Sequence, residues 1–442
     1  MYAIPRFFAR RHIFYGWVIV FLSFILIGLI FGVRLSFGIF FDALTRSGEF
    51  GWGRGETAGV FSTTMVVFTL FGAPAGALLD RFGARRVYLL GIGIMASGLV
   101  MTSRMTSLGQ FYFYYGVWTG LGITVLGLSI HAATISRWFE RTGRRGLAIG
   151  LAFSGTGVGI FLLAPVLERI IALFGWRAAF LALAGLLLVL GVPLTLLFLR
   201  DRPEDIGLAP NGVHGSLSSP SPSPKVEISG VRLTHRLWTW SDAVRTPLFW
   251  LMMLGGACSL FTLRMVTVHQ VAHIVDNGAS RLTAATALGG AGFVTASGFI
   301  IFGRISDTIG RARTFYIGSV AQILAILLLL SLHPGGPTWL LFLYAIFWGV
   351  GEGSRSGLLT AMASDLFPGP ALGAIVGSLG AFFGLGAATG SWLGGWVYDV
   401  TGAYRPAFVL AMVATLLATL SIALVQRMAV RSFRFNTQED DQ

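Results

Sequence analysis

Long apolar runs separated by short polar breaks dominate the chain. Twelve runs reach the roughly 20 residues needed to cross a hydrocarbon core about 30 Å thick. They fall at 14–41, 56–79, 87–105, 110–137, 145–174, 177–199, 247–274, 283–303, 314–332, 338–366, 371–398 and 406–425. Lipid offers the backbone no hydrogen-bond partner, so such runs are expected as helices. Their many glycines suit close helix–helix contact. The first run is too long for a signal-peptide core and has no small-residue cleavage site, so it is expected to be retained. The pattern breaks at 201–245, where Ser216–Pro224 alternates serine and proline and has no means of forming a core. We read that stretch as a cytoplasmic tether, partly polyproline II. It leaves two six-helix halves, 1–200 and 246–442. The polar, acid-ended tail Phe433–Gln442 is expected to be disordered.

Composition agrees with a membrane solvent. Hydrophobic residues make up 55% of the chain and charged residues 12%, with mean hydropathy +0.75; a soluble domain carries about 25% charged residues. The net charge of +13 could suggest a nucleic-acid partner, but its distribution argues otherwise. Of the 32 Lys and Arg, 22 fall on the side holding both termini and the central loop, and 7 on the other. That asymmetry is the positive-inside pattern, and it places both termini in the cytoplasm. Cys258 is the only cysteine, and no paired-His or other metal-ligand spacing occurs, so no metal or cofactor is implied. No nucleophile–base pair or phosphate loop points to an enzyme.

One motif occurs twice. Gly76, Asp80 and Gly83, followed by Arg85 and Arg86, are matched residue for residue by Gly303, Asp307 and Gly310, followed by Arg311 and Arg313. The offset is 303 − 76 = 227 residues. The glycines allow a tight turn and close helix contact. The aspartates can accept hydrogen bonds or face a helix N-terminus, and the arginines hold the loop at the membrane interface.

Twelve helices as six plus six, a long central loop and this paired hairpin resemble the major facilitator superfamily. Finer features are similar to the monocarboxylate transporters and their bacterial oxalate/formate-exchanger relatives. These are Phe14-Tyr-Gly-Trp17, Arg137-Trp-Phe-Glu140 leading to Arg145-Gly-Leu-Ala148, and Gly394-Gly-Trp-Val-Tyr-Asp399 with Gly402-Ala-Tyr404. The resemblance implies an inner-membrane carrier of bacterial type that works by alternating access as a monomer. It also implies that the hairpins steady the inward-closed arrangement, and that helices 1, 4, 7 and 10 line a central cavity. Two family features are absent. Animal monocarboxylate transporters place an Asp and an Arg within helix 8, and Ala285–Phe302 contains neither. The oxalate exchangers use a helix 11 lysine, whereas the one lysine here is Lys225 in the loop.

Charges inside spans cost about 2.5–3.5 kcal/mol each on insertion scales, so they are candidates for function. Arg34 and Arg264 hold near-equivalent places in the two repeats, 42 and 39 residues before the motif's first glycine (76 − 34 and 303 − 264). Facing guanidiniums there could clamp a carboxylate; the alternative is that each snorkels to the interface. Glu352 and Arg355 lie three apart, either a proton-coupling pair or a self-neutralised one. His131 and His269 could carry protons or bond substrate, and Tyr115 could contact it. The expected cargo is a small organic anion, a mono- or dicarboxylate, with protons as a possible second partner. Two alternatives remain open at this stage: an exporter of apolar or cationic compounds, and a transporter-like membrane sensor.

Overall fold

The computed structural model describes residues 14–139, 144–203, 238–355, 357–369 and 371–439, with the backbone alone from 430. Most of the expected tether, including Ser216–Pro224, lies outside the described residues. Every regular element described is helical. Span 1 comprises Gly16–Leu35 and Phe37–Arg46; span 2 is Arg54–Phe82 and span 3 Ala84–Ser103. Span 4 runs from Leu108 to Trp138 through a wide-turned π segment, Tyr112–Thr119. Spans 7, 8 and 9 are Pro247–Asp276, Arg281–Ile309 and Arg311–Leu330. Span 10 is Trp339–Arg355 with Leu358–Leu366, span 11 is Leu372–Thr401, and span 12 is Arg405–Glu439.

Ten helical stretches are long and apolar enough to cross a membrane, against twelve runs in the sequence. Two local breaks account for the difference. Residues Arg145–Phe198 hold two crossings, spans 5 and 6, that turn back at Gly175 (φ 81°), a left-handed position open to glycine. Span 10 is described in two pieces, Trp339–Arg355 and Leu358–Leu366, with residue 356 outside the described residues, and each piece alone is short. Span 12 corrects an expectation at the other end. Its helix continues well past residue 425, and the described part of the tail is helical to Glu439. No glycine or proline follows Pro406, so nothing in the sequence stops it.

The duplication is visible in the helices themselves. Spans 2 and 8 are both 29 residues long, spans 3 and 9 both 20, and each pair keeps the motif's offset (281 − 54 and 311 − 84 are both 227). Gly83 (φ 78°) and Gly310 (φ 93°) make the same left-handed turn in the two hairpins. The expected close contact at Gly76 and Gly303 is not made, since a Cβ on either would meet nothing within 4 Å. Close contact between the halves falls elsewhere: a Cβ on Gly157 in span 5 would lie 1.9 Å from the carbonyl oxygen of Gly292 in span 8.

The two ends of the bundle differ. On the hairpin face every described ion pair stays within one half: Arg137–Asp80 at 2.9 Å, Arg311–Asp365 at 2.6 Å and Arg311–Asp307 at 3.6 Å. A cavity of about 540 Å³ lies between the start of span 5 (Gly146–Leu151) and spans 8 and 10, with Arg304, Asp307 and Arg311 at its edge. On the far face three ion pairs cross between halves. Arg46 and Arg54 both reach Asp276, and Arg281 reaches the buried Asp42 at 3.3 Å. Span 2 is fixed to span 11 nearby, where the Ser62 hydroxyl donates to the Ala388 carbonyl at 2.6 Å. The described arrangement is thus closed at the far face.

Glycine at 157 is required by backbone contact, so Gly157→Ala should lower stability by about 1–3 kcal/mol, while Gly76→Ala should leave it unchanged; thermal unfolding in detergent compares them. A second prediction concerns the far-face loop. Arg177 beside Glu49, joined by the Trp176 indole N–H, holds the Glu49 carboxyl below its usual range. A depressed folded value means that this pair stabilises above the unfolded pKa of about 4.3 and loses its effect as pH falls through the folded value. Glu49→Gln should therefore cost under about 1 kcal/mol at neutral pH, and the cost should shrink as pH falls below the unfolded carboxylate range, read from unfolding midpoints across a pH series.

Candidate functional site

The regular helix of span 1 is interrupted at Ser36, whose hydroxyl donates to the Gly32 carbonyl at 2.6 Å beside its own backbone N–H at 3.0 Å. Arg34 sits just before that break and is buried. One terminal N–H donates to the sulfur of Met65 at 3.0 Å, and the guanidinium lies 4.8 Å from the centre of the Phe68 ring and 5.4 Å from Phe31. Its Nε has no protein partner. Arg264, buried in the middle of span 7, lies 5.8 Å over the Phe61 ring, and its Nε and Nη1 have no protein partner. The two charges, one from each half, are close enough to repel. Neither snorkels to the surface.

Two more expected residues join this pair. Tyr115 lies in the π segment of span 4, where the wider turn breaks helical register. Its ring packs on Phe37 at 5.3 Å, and its buried hydroxyl, without a protein partner, lies in the field of Arg34. Glu352 in span 10 is half-buried, within electrostatic range of Arg264, and has the Thr295 hydroxyl beside it. No described ion pair joins Glu352 to any base; the cation whose field it shares is Arg264, in its own half, while Arg34 stands in the other half.

Three expected site residues lie apart from that group. Arg355 does not pair with Glu352. Its guanidinium donates to Gln322 and, at 2.7 Å, to the Ser259 hydroxyl, with Phe315 at 4.4 Å, all within the second half. Three residues along a helix is a rotation of about 300°, and the long Arg355 side chain turns to spans 7 and 9. His131 shares a 2.8 Å hydrogen bond with the Tyr88 hydroxyl in span 3, inside the first half. His269 donates from Nε2 to the Ser391 carbonyl at 2.8 Å and packs edge-on to Phe41, which makes it part of the contact between spans 7 and 11 near the far face. The hairpin residues are likewise remote from the arginines. Asp80 and Asp307 are exposed, and the N-terminus of span 3 is faced by Asp201, which accepts the Arg85 backbone N–H at 2.9 Å.

Sequence reasoning missed the apolar support of the arginines. Phe61, Met65 and Phe68 follow i, i+4, i+7 spacing on one face of span 2 and line both guanidiniums. The spacing was visible, but span 2 is apolar on most sides, so nothing distinguished this face. The Tyr344 hydroxyl, which donates to Gln270 and lies in the field of Glu352, was also missed.

A bundle of broken and continuous spans with charged groups midway between two repeats defines a membrane carrier. The Major Facilitator Superfamily model matches residues 16–275 and 265–440. The chain belongs to the major facilitator superfamily and is a multi-pass membrane transporter, not an enzyme. Among curated relatives, monocarboxylate transporter 13 of Bos taurus is 30% identical over 419 residues, covering 90% of this chain and 86% of its own. Human monocarboxylate transporter 12 is 27% identical over 447 residues, covering 97% and 84%. Among solved structures, a bacterial homolog of the human lysosomal transporter Spinster, inward-facing and unoccupied, superposes with TM-score 0.68 at 16% identity, covering 95% of this chain and 98% of its own. The nucleoside transporter NupG gives 0.69 at 14% identity, covering 93% and 99%. At these identities the structures speak to fold alone.

The two kinds of buried arginine should separate experimentally. Arg355→Met strands Gln322 and Ser259, which should cost about 1–3 kcal/mol. Arg264→Met removes a cation that bonds no carboxylate and should be neutral or stabilising. Unfolding midpoints of the two purified variants check this.

Proposed function

We propose that the protein carries a small organic anion, a monocarboxylate first of all, across a bacterial inner membrane. The observation that carries this reading is the pair Arg34 and Arg264. They are two buried guanidiniums from opposite halves, with free N–H donors and no bonded carboxylate between them. A buried cation without a counter-charge is costly, and an anionic ligand offsets that cost while taking up the open donors. Guanidinium forks match carboxylate geometry in bidentate fashion. Tyr115 adds a hydroxyl donor beside Arg34. The curated relatives named as monocarboxylate transporters support the same class of cargo.

In this reading 1–200 and 246–442 are the moving halves and 201–245 joins them, with the hairpin face and both termini in the cytoplasm as the charge asymmetry requires. The described arrangement then opens inward. Rocking the halves exposes the arginines to one side at a time. A carboxylate bound to Arg264 weakens that residue's hold on the Glu352 charge and so favours its protonation, which would couple anion to proton movement. Arg355, held by Gln322 and Ser259, serves span 10 as a structural residue.

Uptake of labelled carboxylates into proteoliposomes tests this, with and without an inward proton gradient. The parent should accumulate at least one acid, driven by the gradient. Arg34→Ala and Arg264→Ala should each reduce uptake by about tenfold to a hundredfold, the worth of one charge-assisted hydrogen bond. Glu352→Gln should leave exchange of the acid intact and remove the response to the gradient. No uptake of any acid in either mode, with the arginine variants equally inert, would overturn the reading.

A further inference from the structure

The first turn of a helix exposes backbone N–H groups that need an acceptor, usually a Ser, Thr, Asp or Asn side chain at the N-cap. Span 8 supplies its own: Ser280 accepts the Thr283 N–H at 3.0 Å. The equivalent residue before span 2, at the same offset (280 − 53 = 227), is Gly53, which has no side chain to offer. Glu56 accepts the Gly53 N–H at 3.0 Å, but the next donors of the first turn, those of Arg54 and Gly55, are satisfied from the other half. Asp399, near the end of span 11, accepts the backbone N–H of Arg54 at 2.8 Å and of Gly55 at 2.7 Å. Shifted by the repeat (399 − 227 = 172), Asp399 corresponds to Ala172 in span 5, which cannot return the favour to span 8. The asymmetry is therefore reciprocal: one repeat lost the cap and the other gained the acid that replaces it.

Arg54 is held further by the same half. Its guanidinium bonds Asp276 at 2.7 and 3.2 Å, and lies 3.7 Å from the Tyr398 ring centre and 5.1 Å from Tyr404. The seat is tight: a Cβ on Gly395 would come within 2.4 Å of the Arg54 carbonyl oxygen, and one on Gly53 within 2.9 Å of Asp399 Oδ2. All of these contacts cross between the halves at the far face.

We infer that Asp399 is a conformational clasp, capping span 2 only while the far face is closed and so biasing the carrier toward that state. Opening the far face separates spans 2 and 11 and uncaps span 2, whereas span 8 keeps its own cap throughout. Asp399 touches no substrate; it acts through the equilibrium between the two access states.

The test uses spin labels on the full chain in detergent, at exposed far-face residues of the two halves (Ser47→Cys and Ser331→Cys, in a Cys258→Ser background). Double electron–electron resonance reads the distance between them. The parent should show mainly the short distance. Asp399→Ala should raise the ratio of long to short populations roughly fivefold, the worth of a lost cap. Gly53→Asp with Asp399→Ala gives span 2 a cap of its own, for which the removed side chain leaves room. That double variant should regain the parent's unfolding midpoint yet keep the enlarged long-distance population. A mainly long distance in the parent overturns the inference, as does an Asp399→Ala distribution matching the parent's. A double variant that regains both stability and the parent's distribution would overturn it too, making the contact merely structural. No substrate is needed, so failure of the anion reading would leave this result standing.

Discussion

Two guanidiniums buried at the meeting of the two halves set the terms for the rest of the molecule. In hydrocarbon an unpaired cation is costly, and Arg34 and Arg264 are tolerated because sulfur and aromatic faces stand where a carboxylate would otherwise be needed. Met65 accepts an N–H from Arg34, Phe68 and Phe31 face it, and Phe61 lies under Arg264. Such contacts hold the charges in place without neutralising them. A full carboxylate counter-ion within either half would stabilise the protein more and leave nothing to bind a mobile anion. The neighbouring Arg355 shows the contrast, since both its terminal nitrogens bond side-chain oxygens, of Gln322 and Ser259, and only Nε is without a partner.

A site of this kind works only if its access changes side, and the two faces are built for different parts of that change. At the far face the halves are joined by ion pairs and a borrowed helix cap. At the hairpin face Arg137–Asp80 and Arg311–Asp365 tie each half to itself. Local pairs of the second sort keep each six-helix unit rigid while the interface between units moves. Gly157 against Gly292 permits backbone-close contact on the span 5 side, and Ser62 to Ala388 fixes span 2 to span 11. Gly76 and Gly303, by contrast, stand in open space.

The large features of this architecture were legible in the chain. Run length, charge asymmetry and the duplicated Gly-Asp-Gly motif lead to twelve crossings in two repeats, because each reports a constraint that lipid imposes along the sequence. The nearness of Arg34 to Arg264 was legible for the same reason, through matched distances to the motif. Direction around a helix was not. Glu352 and Arg355 are neighbours by spacing, yet Arg355 turns to spans 7 and 9, and only packing decides that. His131 and His269 looked like candidate proton carriers because residue type was all the sequence offered. The structure places them against Tyr88 and the Ser391 carbonyl.

Duplication also tells where to look for what is particular to this carrier. A tandem repeat that merely preserved its ancestor would keep the same residue at each offset of 227. Scaffold positions do so: Gly83 and Gly310 turn alike, and spans 2 and 8 have equal length. Glu352 has Val125 at its counterpart, Met65 has Gly292, and Phe68 has Thr295, the hydroxyl neighbour of Glu352. On one side of the site the repeat carries apolar support for a cation; on the other it carries an acid and a hydroxyl. A symmetric pair of halves would have presented equal fields to both sides of a ligand. Divergence at these few positions gives the site a polarity, so that on the proposed reading an anion between the arginines would be felt by one acid, in one half.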